Sequence, residues 1–137
     1  MYLVYTPEGS EEPKRWRYDP KKLMSAEREM LERVTGRDFS EFTQAVMKGN
    51  STCRRALLFM YLKRDHPGKI RYEDVDFAWD ELQLEYSRAE LVLIREQAAE
   101  NAPADQRAAM LAGLDQEIAD AFEDPEDEGK AQLPVVA

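Results

Sequence analysis

Seven consecutive apolar residues, Ala56 to Leu62 in RALLFMYLKRDHP, constrain this chain more than any other feature. A helix through them is apolar round nearly its whole circumference, and such a helix is normally the buried central one. The run is far too short to span a bilayer, which takes about 20 residues. Asn50 or Ser51 suits its start, and Pro67 cannot continue it. The basic end KRDHP places cations and His66 where a helix presents its last carbonyls. Leu58, Phe59 and Leu62 are therefore expected core residues.

The preceding segments supply walls for such a helix. In DPKKLMSAEREMLERVTG, Asp19 suits an N-cap and Pro20 the first helical position, with Ser25 as an alternative start for the main helix. Leu23, Ala26, Met30, Leu31 and Val34 recur at helical spacing, and Gly36 stands where a left-handed residue closes a helix. RDFSEFTQAVMKGN repeats this grammar: Asp38 and Glu41 have capping-box spacing, Phe39, Phe42 and Val46 form a stripe, and Gly49 ends it. Together these predict a three-helix core over about 24–65. Upstream, MYLVY and KRWRY flank the turn-rich TPEGSEEP and predict a β-hairpin. An isolated hairpin is marginal in water, so Tyr2, Val4, Trp16 and Tyr18 are expected to pack on helices.

Downstream, Val75, Ala78, Trp79, Leu82, Leu84, Leu91 and Ile94 predict one long helix from about Tyr72 to Ala99, with Trp79 in the core. A second helix opens near Pro103, with Ala108, Leu111, Leu114, Ile118 and Phe122 along one side. The ending EDPEDEGKAQLPVVA is acidic, carries no stable pattern, and is expected to be disordered. The predicted class is mainly α, with a small N-terminal β-hairpin on a helical core, a long helix, a second C-terminal helix and a disordered acidic tail. The expected division is a compact domain at 1–100, an amphipathic helix at 101–122 and the tail at 123–137.

Chemistry is sparse. With one histidine and one cysteine, any Cys–His or Ser–His pair must use His66. Cys53 lies about 20 Å of helical rise away, so the two cannot form a dyad within one helix. A lone cysteine allows no internal disulfide or Cys-rich zinc site and points to a reducing compartment. The carboxylates in EDVD and EDPEDE lack the spacing of a calcium loop, and no Gly-rich phosphate loop occurs. Glu29 and Glu32 share a helix, yet no apolar pocket is evident to tune either as an acid. A helix-turn-helix reading fails because its recognition helix would be the buried run. No catalytic residue, metal or cofactor is expected, nor nucleic-acid or membrane binding. The N-terminus has no basic and apolar stretch of the secretory kind.

Charge is divided along the chain. Residues 1–71 hold 15 Lys+Arg and 10 Asp+Glu (+5), and residues 72–137 hold 4 and 18 (−14), which sum to −9. One reading is an uneven solvated surface. The other is self-complementarity, with the basic half of one copy meeting the acidic half of the next.

The order RWRYDP, AEREMLERVTGRDFSEF, Gly49, RALLFMYLKRDHP and YEDVDF resembles the tail assembly chaperones of long, flexible-tailed bacteriophages. The likeness covers residues 14 to about 95: an aromatic strand with Trp16, Tyr18 and Pro20, and a Glu-rich helix closing at Thr35–Gly36. Phe39 and Phe42 follow, then the apolar helix with Arg64 and Pro67, and an acidic segment from Asp74 to Phe77. The resemblance implies a small helical, non-enzymatic protein of the infected host's cytoplasm. It would coat the aggregation-prone tape measure protein before the tail tube forms and be absent from the mature virion. It also implies self-association and a longer, frameshifted form of the same protein as partners. On this reading Leu111, Leu114, Ile118 and Phe122 are candidate client contacts; otherwise the stripe packs on the chain's own core. The alternative function is a small cytoplasmic regulatory or adaptor protein that binds a host or phage protein.

Overall fold

The computed structural model describes residues 1–123. Strands β1 (Tyr2–Tyr5) and β2 (Lys14–Arg17) lead into helices α1 (Ser25–Thr35), α2 (Phe39–Met47) and α3 (Ser51–Asp65). Strand β3 (Leu82–Glu85) and helices α4 (Arg88–Asn101) and α5 (Arg107–Asp120) follow. Short 3-10 turns occupy Pro20–Lys22, Tyr72–Asp74 and Trp79–Glu81. The mainly α class with a small N-terminal sheet is as the sequence predicts. The tail, expected over 123–137, lies outside the described residues after Glu123.

Two compact units part after Leu84, one of Tyr2–Leu84 and one from Glu85 onward together with Met1. This division falls inside the stretch expected as one domain, 1–100, and groups α4 with α5.

In the Tyr2–Leu84 unit, α1, α2 and α3 pack on one another as the predicted three-helix core. Cys53 and every residue from Ala56 to Tyr61 in α3 are buried, so the apolar run is enclosed on all sides. Asn50 caps α3 by accepting from the Cys53 amide (3.0 Å), and Asp19 accepts from that of Lys21 (3.2 Å). Gly36 closes α1 in the left-handed region at φ 70°. Asp38 precedes α2, but its side chain makes no capping bond. Glu32 of α1 caps the helix instead, accepting from the Phe39 amide at 3.0 Å. A carboxylate one helix upstream thus does what the local spacing assigned to Asp38.

The sheet has order β2-β1-β3. Strands β1 and β2 pair antiparallel, Tyr2 opposite Arg17 and Leu3 opposite Trp16. The Thr6 amide donates to the Glu81 carbonyl at 2.8 Å, joining the end of β1 to the start of β3. Tyr2, Leu3 and Val4 are buried accordingly, as a central strand requires. Trp16 stacks on Tyr61 of α3 with centroids 5.5 Å apart, and the Tyr61 hydroxyl donates to the Arg17 carbonyl (2.9 Å). The hairpin is thereby seated on the central helix.

The long helix expected from Tyr72 to Ala99 does not form; only Arg88–Asn101 is helical, after two 3-10 turns and β3. Arg55 of α3 explains part of this. Its guanidinium donates to the carbonyls of Val75 (2.6 Å) and Tyr72 (3.2 Å), which a helix would need as acceptors. Nearby carboxylates bind local amides: Asp76 that of Phe77 (2.9 Å) and Glu81 that of Ala78 (2.6 Å). Such bonds give the backbone an alternative to the helix. The alternation in Leu82-Gln83-Leu84 (buried, exposed, half-buried) is that of a strand.

Of the expected core, Phe42, Leu58 and Phe59 are buried, while Trp16, Phe39 and Leu62 are half-buried. Trp79 is not core: it is 66% exposed. It opens a 3-10 turn, so its ring lies on the surface beside Gly49, with the Arg54 guanidinium 5.4 Å from its centroid. Gly49 has φ +85°, and a Cβ there would come within 2.6 Å of the ring, so both conformation and proximity require glycine.

Two ionisable features yield predictions. Arg64 of α3 grips Glu27 of α1 with two bonds, at 2.5 and 2.6 Å. Those bonds hold the Glu27 carboxyl below its ordinary value of 4.5. A depressed carboxylate stabilises the fold above its unfolded pKa, and that stability is lost as pH falls through the folded value. Glu27→Gln should therefore shrink the fall in melting temperature between about pH 5 and about pH 3, measured by circular dichroism. Tyr18 is 4% exposed, and its hydroxyl has no hydrogen-bond partner among the described residues. Burial, and secondarily Cys53, push its phenol up to about 12. Burial disfavours only the ionised phenol, so the fold has no penalty from it below the ordinary value of 10.0 and loses stability as pH rises from there toward about 12. Tyr18→Phe should be neutral or stabilising by up to about 1 kcal/mol at neutral pH, with a weaker alkaline loss of stability in a pH series of melts.

Candidate functional site

The sequence places its candidate contacts on the C-terminal helix, and the structure sets that helix in a hairpin. Ser87 and Glu90 form a reciprocal capping box at the start of α4: the Glu90 amide donates to the Ser87 hydroxyl (3.3 Å) and the Ser87 amide to the Glu90 carboxylate (3.0 Å). The Ser-x-x-Glu spacing at 87–90 is a legible start signal that the long-helix reading overrides.

Helices α4 and α5 pack antiparallel, and arginines fix their register. Arg88 donates to the carbonyls of Ile118 (3.1 Å) and Ala121 (3.0 Å) and pairs with Glu123. Its amide donates to the Phe122 carbonyl at 2.9 Å. It therefore satisfies the carbonyls that α5 leaves open at its C-terminus. Arg95 pairs with Asp115 at 2.6 Å, and Arg107 donates to the Ala102 carbonyl at 2.8 Å, closing the connection.

Leu111, Leu114 and Ile118 lie within α5, and Phe122 lies just past its end; all four are half-buried. Leu111, Leu114 and Ile118 follow one another at helical spacing on α5, next in the helical turn to Asp115, which pairs with Arg95 of α4. The exposed apolar surface of the hairpin is elsewhere: Leu93 is 61% exposed, Met110 43% and Val92 39%. The stripe reading misses these residues. The signal is the run Leu91-Val92-Leu93-Ile94, which turns through most of a helix's circumference and exceeds what one neighbour can cover.

Surface clefts of the Tyr2–Leu84 unit include the following pair. One of about 280 Å³ is lined by Ser51, Thr52, Arg55, Tyr72, Phe77 and Trp79, with Asp76 at its edge. Arg55 there is engaged with backbone carbonyls and Asp76 with the Phe77 amide. The other, about 540 Å³, lies between the Thr6–Ser10 loop and Ala78–Glu81, where Glu81 accepts from the Glu8 amide. Neither brings a nucleophile to a base. Cys53 is fully buried in the first turn of α3, where burial raises its thiol and keeps it protonated. His66 stands at the opposite end of the same helix, its amide donating to the Leu62 carbonyl (2.9 Å). Asp65 is lowered by its bonds from Lys14 and Trp16, a structural tie between β2 and α3. Among the described residues, no group of three or more His, Cys, Asp or Glu could hold a metal ion, and no helix is long and apolar enough to cross a membrane.

Charge divides by unit more sharply than along the sequence. Residues 2–84 carry 15 Lys+Arg and 15 Asp+Glu, a balance of zero, so residues 85–137, with 4 and 13, carry the entire −9. The acidic segment 72–84 belongs to the same unit as the basic helices, and the +5 of residues 1–71 is neutralised there.

No protein-family model, curated protein or solved structure was found to match the chain.

Arg88 offers a direct test of how α5 is held. Arg88→Ala should loosen the end of α5 by about 1–2 kcal/mol, read as faster amide hydrogen exchange over residues 114–120 with residues 51–65 unchanged.

Proposed function

We propose that this chain is a non-enzymatic binding protein, a tail assembly chaperone that holds the tape measure protein during phage tail morphogenesis in the host cytoplasm. The observation that carries the reading is the C-terminal hairpin: Leu93, Val92 and Met110 are exposed on two helices that lie within the acidic part of the chain. A chaperone of this kind has to lend apolar surface while staying in solution, and net charge of one sign favours solubility. The motif order over residues 14–95 supports the same reading, as does the three-helix core assembled by those motifs.

The adaptor reading draws on a different observation, the exposed Trp79 with Arg54 beside its ring. Tryptophan and arginine are the residue types that most often anchor protein interfaces. The chaperone reading accounts for more of the exposed apolar surface, because the hairpin holds three of the large exposed hydrophobic residues and the Trp79 site holds one.

Co-expression distinguishes the two. A very long helical protein encoded next to this chain should become more soluble and co-purify with it. Unchanged solubility and no complex would overturn the chaperone reading.

A further inference from the structure

We infer that the outward face of α4 is the docking surface for a cationic amphipathic helix of the client, an inference that rests on the chaperone reading and specifies its contact. Successive residues of a helix are about 100° apart, so Leu91 to Ile94 sweep about 300° of α4. Leu91 is buried and Ile94 half-buried, while Val92 and Leu93 face away from their cover at 39% and 61% exposure. One helix turn beyond them stand Glu96 and Gln97, and two turns beyond them Glu100, all exposed and on the same face. The face thus begins apolar and ends acidic.

Among the described residues, its own unit supplies no cation to that face, the Met1 ammonium being paired with Glu90. Arg88 is bound to the end of α5, Arg95 to Asp115 and Arg107 to the Ala102 carbonyl. Over residues 85–123 there are 3 arginines and 9 carboxylates, a balance of −6. No ion pair among the described residues engages Glu96 or Glu100. A complementary partner therefore brings apolar side chains for Val92 and Leu93 and Lys or Arg for the two glutamates. Apolar anchors at helical spacing beside fixed charges are how an amphipathic helix is received. A second copy fits less well, because the Tyr2–Leu84 unit has no net positive charge to offer.

The test uses the full chain and two designed helical peptides with the same leucine stripe, one Lys-rich and one Glu-rich on the polar face. Amide chemical shifts are followed by NMR during titration. The Lys-rich peptide should bind with shifts centred on Val92, Leu93, Glu96 and Glu100, and the Glu-rich peptide should not. Raising salt from about 0.1 M to about 1 M, which shortens the screening length from about 10 Å to about 3 Å, should weaken binding roughly tenfold. Leu93→Asp, at an exposed position and checked for folding by circular dichroism, should abolish it. Glu96→Gln with Glu100→Gln should weaken it and flatten the salt dependence. Equal binding of both peptides, no binding, or shifts confined to residues 2–84 would overturn the inference. Concentration-dependent shifts on α4 without peptide would assign the face to a second copy and also overturn it. If Leu93→Asp keeps the long client as soluble as the unmodified chain does, this surface is wrong and the chaperone reading stands. If the Lys-rich peptide binds α4 but the client is never solubilised, the surface stands and the chaperone reading falls.

Discussion

A helix that is apolar on every side can exist in water only if it is walled in, and the Tyr2–Leu84 unit is organised round that requirement. Helices α1 and α2 cover part of α3. Trp16 of the hairpin closes over Tyr61, and the segment after α3 is drawn back by Arg55. Each wall is fixed by a polar tie as well as by apolar contact: Glu27 to Arg64, Tyr61 to the Arg17 carbonyl, Arg55 to the carbonyls of Tyr72 and Val75. The tie from Tyr61 comes from the buried run itself, and those from Arg55 and Arg64 flank it on either side. Hydrophobic burial supplies most of the driving force, and the polar ties select which neighbour covers which side.

Much of this is legible in the residues. The apolar run, Gly36, Asn50 and Pro67 mark out the central helices because caps and breakers act locally. The hairpin is legible too, since turn residues separate two aromatic, β-branched segments. What the sequence hides lies between elements. Arg55 holds residues 72–75 from about 20 positions away, and Glu32 caps α2 from the preceding helix; no cap or periodicity pattern announces either. Val75, Ala78, Trp79 and Leu82 fit a helical period, yet residues 72–85 form turns and a strand once Arg55 takes two of the carbonyls and nearby carboxylates take the amides. Trp79 consequently lies on the surface instead of in the core.

The candidate site follows the same division. The apolar side of α5 is visible as a period, with Leu111, Leu114 and Ile118 along the helix and Phe122 just past its end. Their partial burial beside α4 could not be read from that period, which says that a face exists and not what lies against it. Leu93 and Val92 become conspicuous only when the helix start at Ser87 fixes which way each points. The charge contrast is also recast by folding. It is strong along the chain, but the acidic stretch 72–84 shares a unit with the basic helices, so the imbalance resides wholly beyond Leu84.

The Arg55 contact has a consequence for how the structure comes apart in acid. Its acceptors are carbonyl oxygens, and a guanidinium stays charged at any pH a protein meets. The joints made by Glu27 and by Asp65 depend on carboxylates that acid neutralises. Acidification therefore weakens the Glu27 joint of α1 and the Asp65 joint of β2, and leaves the Arg55 contact to residues 72–75 and the Tyr61 bond to the Arg17 carbonyl in place. The fold thus holds acid-proof joints beside acid-labile ones, and a chain loosened by acid would keep residues 72–75 and the end of β2 against α3.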